Sequence, residues 1–212
     1  MKTDDLIAML STNLEAVGRQ QVARTLGKAV AAGTLVAVGA GLIVLGGRTD
    51  LGGQALGFLL IKLLFAATVA ALAFFYLAAA ARPNGRWLGS TVLMVLPFAG
   101  LVGLALISLV LEPTPHWQTM LMDDEWLECL VSIPIIAMVP FALVVWAVRQ
   151  AAPTRLRRAG AFAGLVAGGL AAAGYALHCT ADSLPFVAVW YGGTIMLCTL
   201  AGAILGPRLL RW

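Results

Sequence analysis

Residues 159–206 read AGAFAGLVAGGLAAAGYAL (159–177), HCTADS (178–183) and LPFVAVWYGGTIMLCTLAGAILG (184–206). Each apolar segment is close to the ~20 residues that carry a helix across a bilayer at 1.5 Å rise per residue. The gap between them is short and polar. It places the Cys179 thiol beside the His178 imidazole, with the Asp182 carboxylate three residues on. Those groups can bind a soft metal or tune a thiolate, and the segment reads equally well as a hairpin loop that holds a cysteine. A second cysteine on the same side, Cys129, favours the chemical reading.

Working outward, four more apolar runs precede these two, at 29–46, 55–81, 87–111 and 129–148. The chain has 212 residues, of which 61% are hydrophobic and 11% charged, with a mean hydropathy of +0.93. Soluble domains average about 25% charged residues, so this chain lacks the polar residues to cover itself in water. The expected fold is all-α, an integral membrane six-helix transmembrane bundle. The transmembrane domain is 29–212, preceded by a short N-terminal segment at 1–28. The net charge of +4 is no nucleic-acid signal, and direct contact with nucleic acid is not expected. Three cysteines without a Cys-x-x-Cys pair argue against a disulfide framework and against a thioredoxin-like motif.

Six spans put both termini on one side, and basic residues decide which. The termini and the even-numbered loops carry Lys2, Arg19, Arg24, Lys28, Arg82, Arg86, Arg149, Arg155, Arg157, Arg158, Arg208 and Arg211, whereas the other loops carry Arg48 alone. By the positive-inside rule both termini are cytoplasmic. Acidic residues collect on the opposite face at Asp50, Glu112, Asp123, Asp124, Glu125, Glu128 and Asp182. Pro97, Pro134 and Pro140 fall inside spans and are expected to kink them. Gly160, Gly164 and Gly168 recur at four-residue spacing, which lets neighbouring backbones approach and places the fifth span at the centre.

In the N-terminal segment Leu6, Ile7, Leu10, Leu14 and Val17 form one apolar stripe of an amphipathic helix. Amphipathic helices that lie on lipid are usually rich in Lys and Arg; here Asp4, Asp5 and Glu15 offset the bases. Docking into a protein groove therefore suits this stripe better than a surface role on membrane lipid. Lys62 is the one charge well inside a span. It lies roughly 10 Å from the outer end at helical rise, where a lysine can snorkel to the interface and meet an acidic outer loop.

Cys129 opens the fourth run and Cys179 follows the fifth, so both thiols lie near one depth on spans expected to pack antiparallel. They could form a disulfide, or ligate a soft metal together with His178, Glu128 and Asp182. Glu128 should disfavour the Cys129 thiolate and a protonated His178 should favour that of Cys179, which is then the first to react. Cys198, deep in the sixth run, reads as a packing residue.

The opening Met1-Lys2-Thr3-Asp4-Asp5-Leu6-Ile7, the lysine of the second span, Cys129-Leu130-Val131-Ser132-Ile133-Pro134, and His178-Cys179…Asp182-Ser183…Phe186…Trp190-Tyr191 resemble the six-span NrsF-type anti-sigma factors. The resemblance covers nearly the whole chain and departs at Ala181, where members usually carry an acidic residue. It implies an inner-membrane protein that holds an extracytoplasmic-function (ECF) sigma factor through its cytoplasmic N-terminal segment. It also implies that Cys129 and Cys179 take part in stress sensing. No enzymatic activity or resident cofactor is expected, and a soft metal ion enters only as a candidate inducer. A small transporter would need polar groups facing a midplane cavity, and a membrane thiol oxidoreductase a second cysteine pair. Neither is legible here.

Overall fold

The computed structural model describes residues 19–50, 52–81 and 91–211, and all regular structure among them is helical. Helix α1 (Arg19–Gly39) continues into a π-turn over Ala40–Val44, and α2 spans Gly53–Ala80. A 3-10 turn at Thr91–Met94 leads into α3 (Leu96–Leu111). A short α4 (Trp117–Leu121) precedes α5 (Trp126–Arg149), and α6 (Leu156–Ala176) follows. Helix α7 (Leu184–Leu209) is wound as a π-helix over Val187–Tyr191. Six of these elements are long and apolar enough to cross a membrane, as the six apolar runs require. The fold is therefore an all-α bundle. In hydrocarbon, helices satisfy their own backbone polar groups, which is why such runs have no other stable conformation.

The glycine-rich helix sits in the middle. The protein buries 78% of the apolar window of α6, against 11% for α3, so α6 is the hub and α3 lies at the periphery. Helix α6 packs on α7, α2, α5 and α1. Gly164 meets the backbone of Cys198, Gly160 the backbone of Gly202 and Gly206, and Gly174 the backbone of Ala37; a side chain at any of them would strike main-chain atoms. Small residues here replace the hydrophobic drive that lipid cannot supply between helices. The adjacent helices α5 and α6 pack antiparallel, as expected.

One sequence expectation changes here. Pro97 lies in the first turn of α3, where its missing N–H is not needed, so it starts that helix rather than kinking it. Pro134 and Pro140 do fall inside α5, and Pro140 packs against Gly33 of α1. The apolar stripe Leu6, Ile7, Leu10, Leu14 and Val17 lies outside the described residues, as do Arg82, Arg86 and Trp87.

Candidate functional site

The loops α1–α2 and α6–α7 are knitted together at one end of the bundle. Gly46 adopts φ +85°, a left-handed conformation that ends the helical backbone of α1 and suits glycine. The next residues then lie along the HCTADS segment. The Arg48 N–H donates to the Leu177 carbonyl at 2.9 Å, and His178 Nδ1 lies 2.6 Å from the Gly46 carbonyl. A carbonyl only accepts, so that ring nitrogen carries the proton. The other nitrogen, Nε2, faces Glu128 at 3.8 Å.

Beneath this seam lies a buried ion network. Arg48 grips Asp182 with both terminal guanidinium nitrogens, at 3.1 and 2.8 Å. Lys62 Nζ reaches the same carboxylate at 3.2 Å and the Cys179 carbonyl at 3.1 Å. Lys62 is 0% exposed, so the lysine does not snorkel: the protein brings a carboxylate and a carbonyl to it. The acidic loop does supply the expected counter-charge, through Asp182. Burial alone would raise the Asp182 carboxyl. The Arg48 hydrogen bonds and the Lys62 charge outweigh that and hold it below the ordinary carboxylate value. Arg48 is correspondingly raised by its bond to Asp182.

Both thiols are inside this network. Cys129 and Cys179 are each fully buried, free, and within electrostatic range of one another. Lys62 Nζ lies 3.6 Å from Cys179 Sγ. The Glu125 carboxylate, at the start of α5, accepts from the Thr180 N–H at 3.0 Å and from the Thr180 hydroxyl, and it flanks the same sulfur. Burial pushes the Cys179 thiol up, partly offset by Lys62 and by the Tyr191 hydroxyl. The cation beside Cys179 is thus Lys62, from a helix more than a hundred residues away, and not its neighbour His178. His178 is turned to Gly46 and Glu128 instead. Cys198, expected to be a packing residue, lies against Gly164 and Gly168 in the α6–α7 contact.

Among the described residues no group of three or more His, Cys, Asp or Glu side chains is arranged to hold a metal ion. Asp182 and His178, weighed as ligands, are committed to ion-pair and backbone partners. The structure thus unites Cys129, Cys179 and Lys62 and leaves His178 at the margin. Reading along the chain missed Arg48 as a site residue. The signal was present, since a lone arginine on an acidic face must pair. Tyr175 and Tyr191 were also missed. Both are buried with hydroxyls that find no hydrogen-bond partner among the described residues, and their rings lie 5.9 Å apart.

Below the loop, Ser183 caps α7 by accepting from the Phe186 N–H at 3.2 Å and donates to the Met120 carbonyl at 2.6 Å. Trp190 Nε1 donates to the Leu121 carbonyl at 2.8 Å, and its ring packs on Trp126 at 5.1 Å. These contacts tie α4, α5 and α7 around the thiols.

A family model described as negative regulator of sigma F, NrsF, matches residues 10–212. A probable anti-sigma-F factor NrsF of Azospira oryzae is 32% identical over 213 residues, covering 100% of both chains. The anti-sigma-F factor NrsF of Caulobacter vibrioides is 30% identical over 217 residues, again covering 100% of both. No solved structure matches.

Proposed function

The chain belongs to the NrsF family of negative regulators of sigma F, and from that membership we propose a membrane-bound anti-sigma factor that holds an ECF sigma factor and releases it on thiol-reactive stress. The single observation that carries the sensing half is the Lys62 ammonium 3.6 Å from the Cys179 sulfur, under the Arg48–Asp182 bridge and with Cys129 close by. Reactive thiols need a nearby positive charge, and inert structural cysteines do not.

The sigma factor docks on the N-terminal segment through Leu6, Ile7, Leu10, Leu14 and Val17, on the cytoplasmic face of the inner membrane. The thiol end faces the opposite, oxidising compartment, where a disulfide can persist. Stress acts there in one of two ways. A hydroperoxide takes two electrons and two protons from the thiol pair, joining the sulfurs as its O–O bond breaks and leaving as one alcohol and one water. Alternatively Cys129 and Cys179 would hold a soft metal ion as thiolates, their two protons passing to solvent. Either event alters the packing of α5, α6 and α7 around the loop. It releases the sigma factor only to the extent that the two packings differ in affinity for it.

Co-purification of the sigma factor with the full-length protein from membranes tests this reading. The partner should be retained before thiol stress and lost after it. Leu10→Asp and Leu14→Asp should lose it throughout, since a charge in an interface anchor costs about 2 kcal/mol or more. Retention by both variants, or by the wild type under stress, overturns the proposal.

A further inference from the structure

Among the described residues the buried hydroxyls of Tyr175 and Tyr191 complete no hydrogen bond, and a hydroxyl that gives up water without a full partner is costly. They are not scattered. Tyr191 ends the π-turn of α7, and a π-turn re-aims the residues that follow it. Its hydroxyl lies beside the Cys179 sulfur without completing a hydrogen bond to it. Lys62 Nζ approaches the same sulfur at 3.6 Å. Lys62 already bonds the Asp182 carboxylate and the Cys179 carbonyl and turns its remaining N–H to this thiol, a weak acceptor that also leaves the Tyr191 hydroxyl unsatisfied, whereas a thiolate is a strong acceptor for both. The pocket is therefore built for a charge that the resting thiol does not carry.

We propose that Lys62 and Tyr191 are positioning residues that receive the Cys179 sulfur as a thiolate, which makes Cys179, rather than Cys129, the thiol that reacts first. This rests on the thiol-sensing reading and names the groups that make it work. On ionisation the Sγ proton passes to the Glu125 carboxylate, which flanks the sulfur and is partly open to solvent. Lys62 then turns its charge from Asp182 toward the sulfur, Tyr191 gains its missing acceptor, and Arg48 keeps Asp182 paired. The remaining groups near the sulfur, Cys129 and Tyr175, are neutral at this stage. This is the logic of an oxyanion hole, with donors fixed in a dry site before the charge appears. The thiolate attacks a soft electrophile; with iodoacetamide a sulfur–carbon bond forms and iodide departs.

Site-resolved alkylation by iodoacetamide, followed by mass spectrometry on the full-length protein in membranes, tests this across a pH series. In the wild type Cys179 should be modified faster than Cys129. Tyr191→Phe and Lys62→Met should each slow Cys179 about tenfold at neutral pH and move the midpoint of its rate profile up by about one unit. Lys62→Arg should restore most of the rate. Tyr175→Phe removes the other orphaned hydroxyl and should leave the profile in place. Unchanged profiles in Tyr191→Phe and Lys62→Met, an equal shift in Tyr175→Phe, or faster modification of Cys129 would each overturn the assignment. A sigma-dependent reporter separates the two levels. If Cys179→Ser still responds to stress, the sensing reading fails. If it does not respond while the profiles are unchanged, only the roles of Lys62 and Tyr191 fail.

Discussion

Lys62 Nζ lies 3.6 Å from Cys179 Sγ and 3.1 Å from the carbonyl of the same residue, although 117 positions separate them in the chain. One ammonium thus touches the backbone and the side chain of the loop that carries the thiol. Asp182, at 3.2 Å, completes the arrangement and is itself held by Arg48. Any change in the charge of the sulfur is felt at once by the groups that fasten the α1–α2 and α6–α7 loops together.

Asp182→Asn should strip both cations of their partner. Removing one member of a buried ion pair leaves uncompensated charge, so a loss of about 3 kcal/mol is expected in denaturant unfolding in detergent. Acid should act in the same direction. The Asp182 carboxyl is held below its ordinary value in the folded protein, so its contribution is complete above that value. It disappears as pH falls through the depressed one. Unfolding midpoints measured from neutral pH downward should fall in the wild type and lose this component in Asp182→Asn.

Cys129→Ser and Cys179→Ser should each abolish the response of a sigma-dependent reporter to thiol stress. The double variant should be no worse than either single one, because the two act as a unit. Cys198→Ser, in the α6–α7 contact, should shift stability by about 1 kcal/mol or less and leave the response intact. A response surviving in the double variant would remove the thiols from the mechanism.

The twelve-to-one distribution of loop lysines and arginines between the two faces predicts the orientation. Alkaline phosphatase fused after Asp123 should be active, and the same fusion after Arg157 inactive. The reverse pattern would place the thiols in a reducing compartment.

Gly164→Ala should destabilise the bundle by about 1–3 kcal/mol, because its new methyl falls on the Cys198 backbone, which cannot give way as a flexible side chain would. Gly193→Ala meets nothing within 4 Å and should be neutral or slightly stabilising. Thermal unfolding of the two purified variants separates packing from propensity. Equal shifts would deny the close approach of α6 and α7.

The spans were legible in the sequence because hydropathy is a local, additive property. A run of ~20 apolar residues has no alternative in lipid to a self-satisfied helix. The central position of α6 was legible for a related reason: Gly160, Gly164 and Gly168 have no side chains to present to lipid and allow only close backbone contact. The thiol pair was legible as a pair of residues on one face. What surrounds the sulfurs was not. Helical rise put Lys62 at a depth from which it could reach the interface. Whether it did so depended on where Asp182 and the Cys179 carbonyl came to rest, and those lie on a different loop. Sequence adjacency suggested His178 as the partner of Cys179, yet adjacent side chains in a tight loop point apart, and Gly46 and Glu128 hold that ring. The unsatisfied hydroxyls of Tyr175 and Tyr191 are likewise invisible in a string of letters, since satisfaction is a property of a neighbourhood. Local chemistry determined which segments are long and apolar enough to span; the packing of loops distant in sequence decided which charge touches which sulfur.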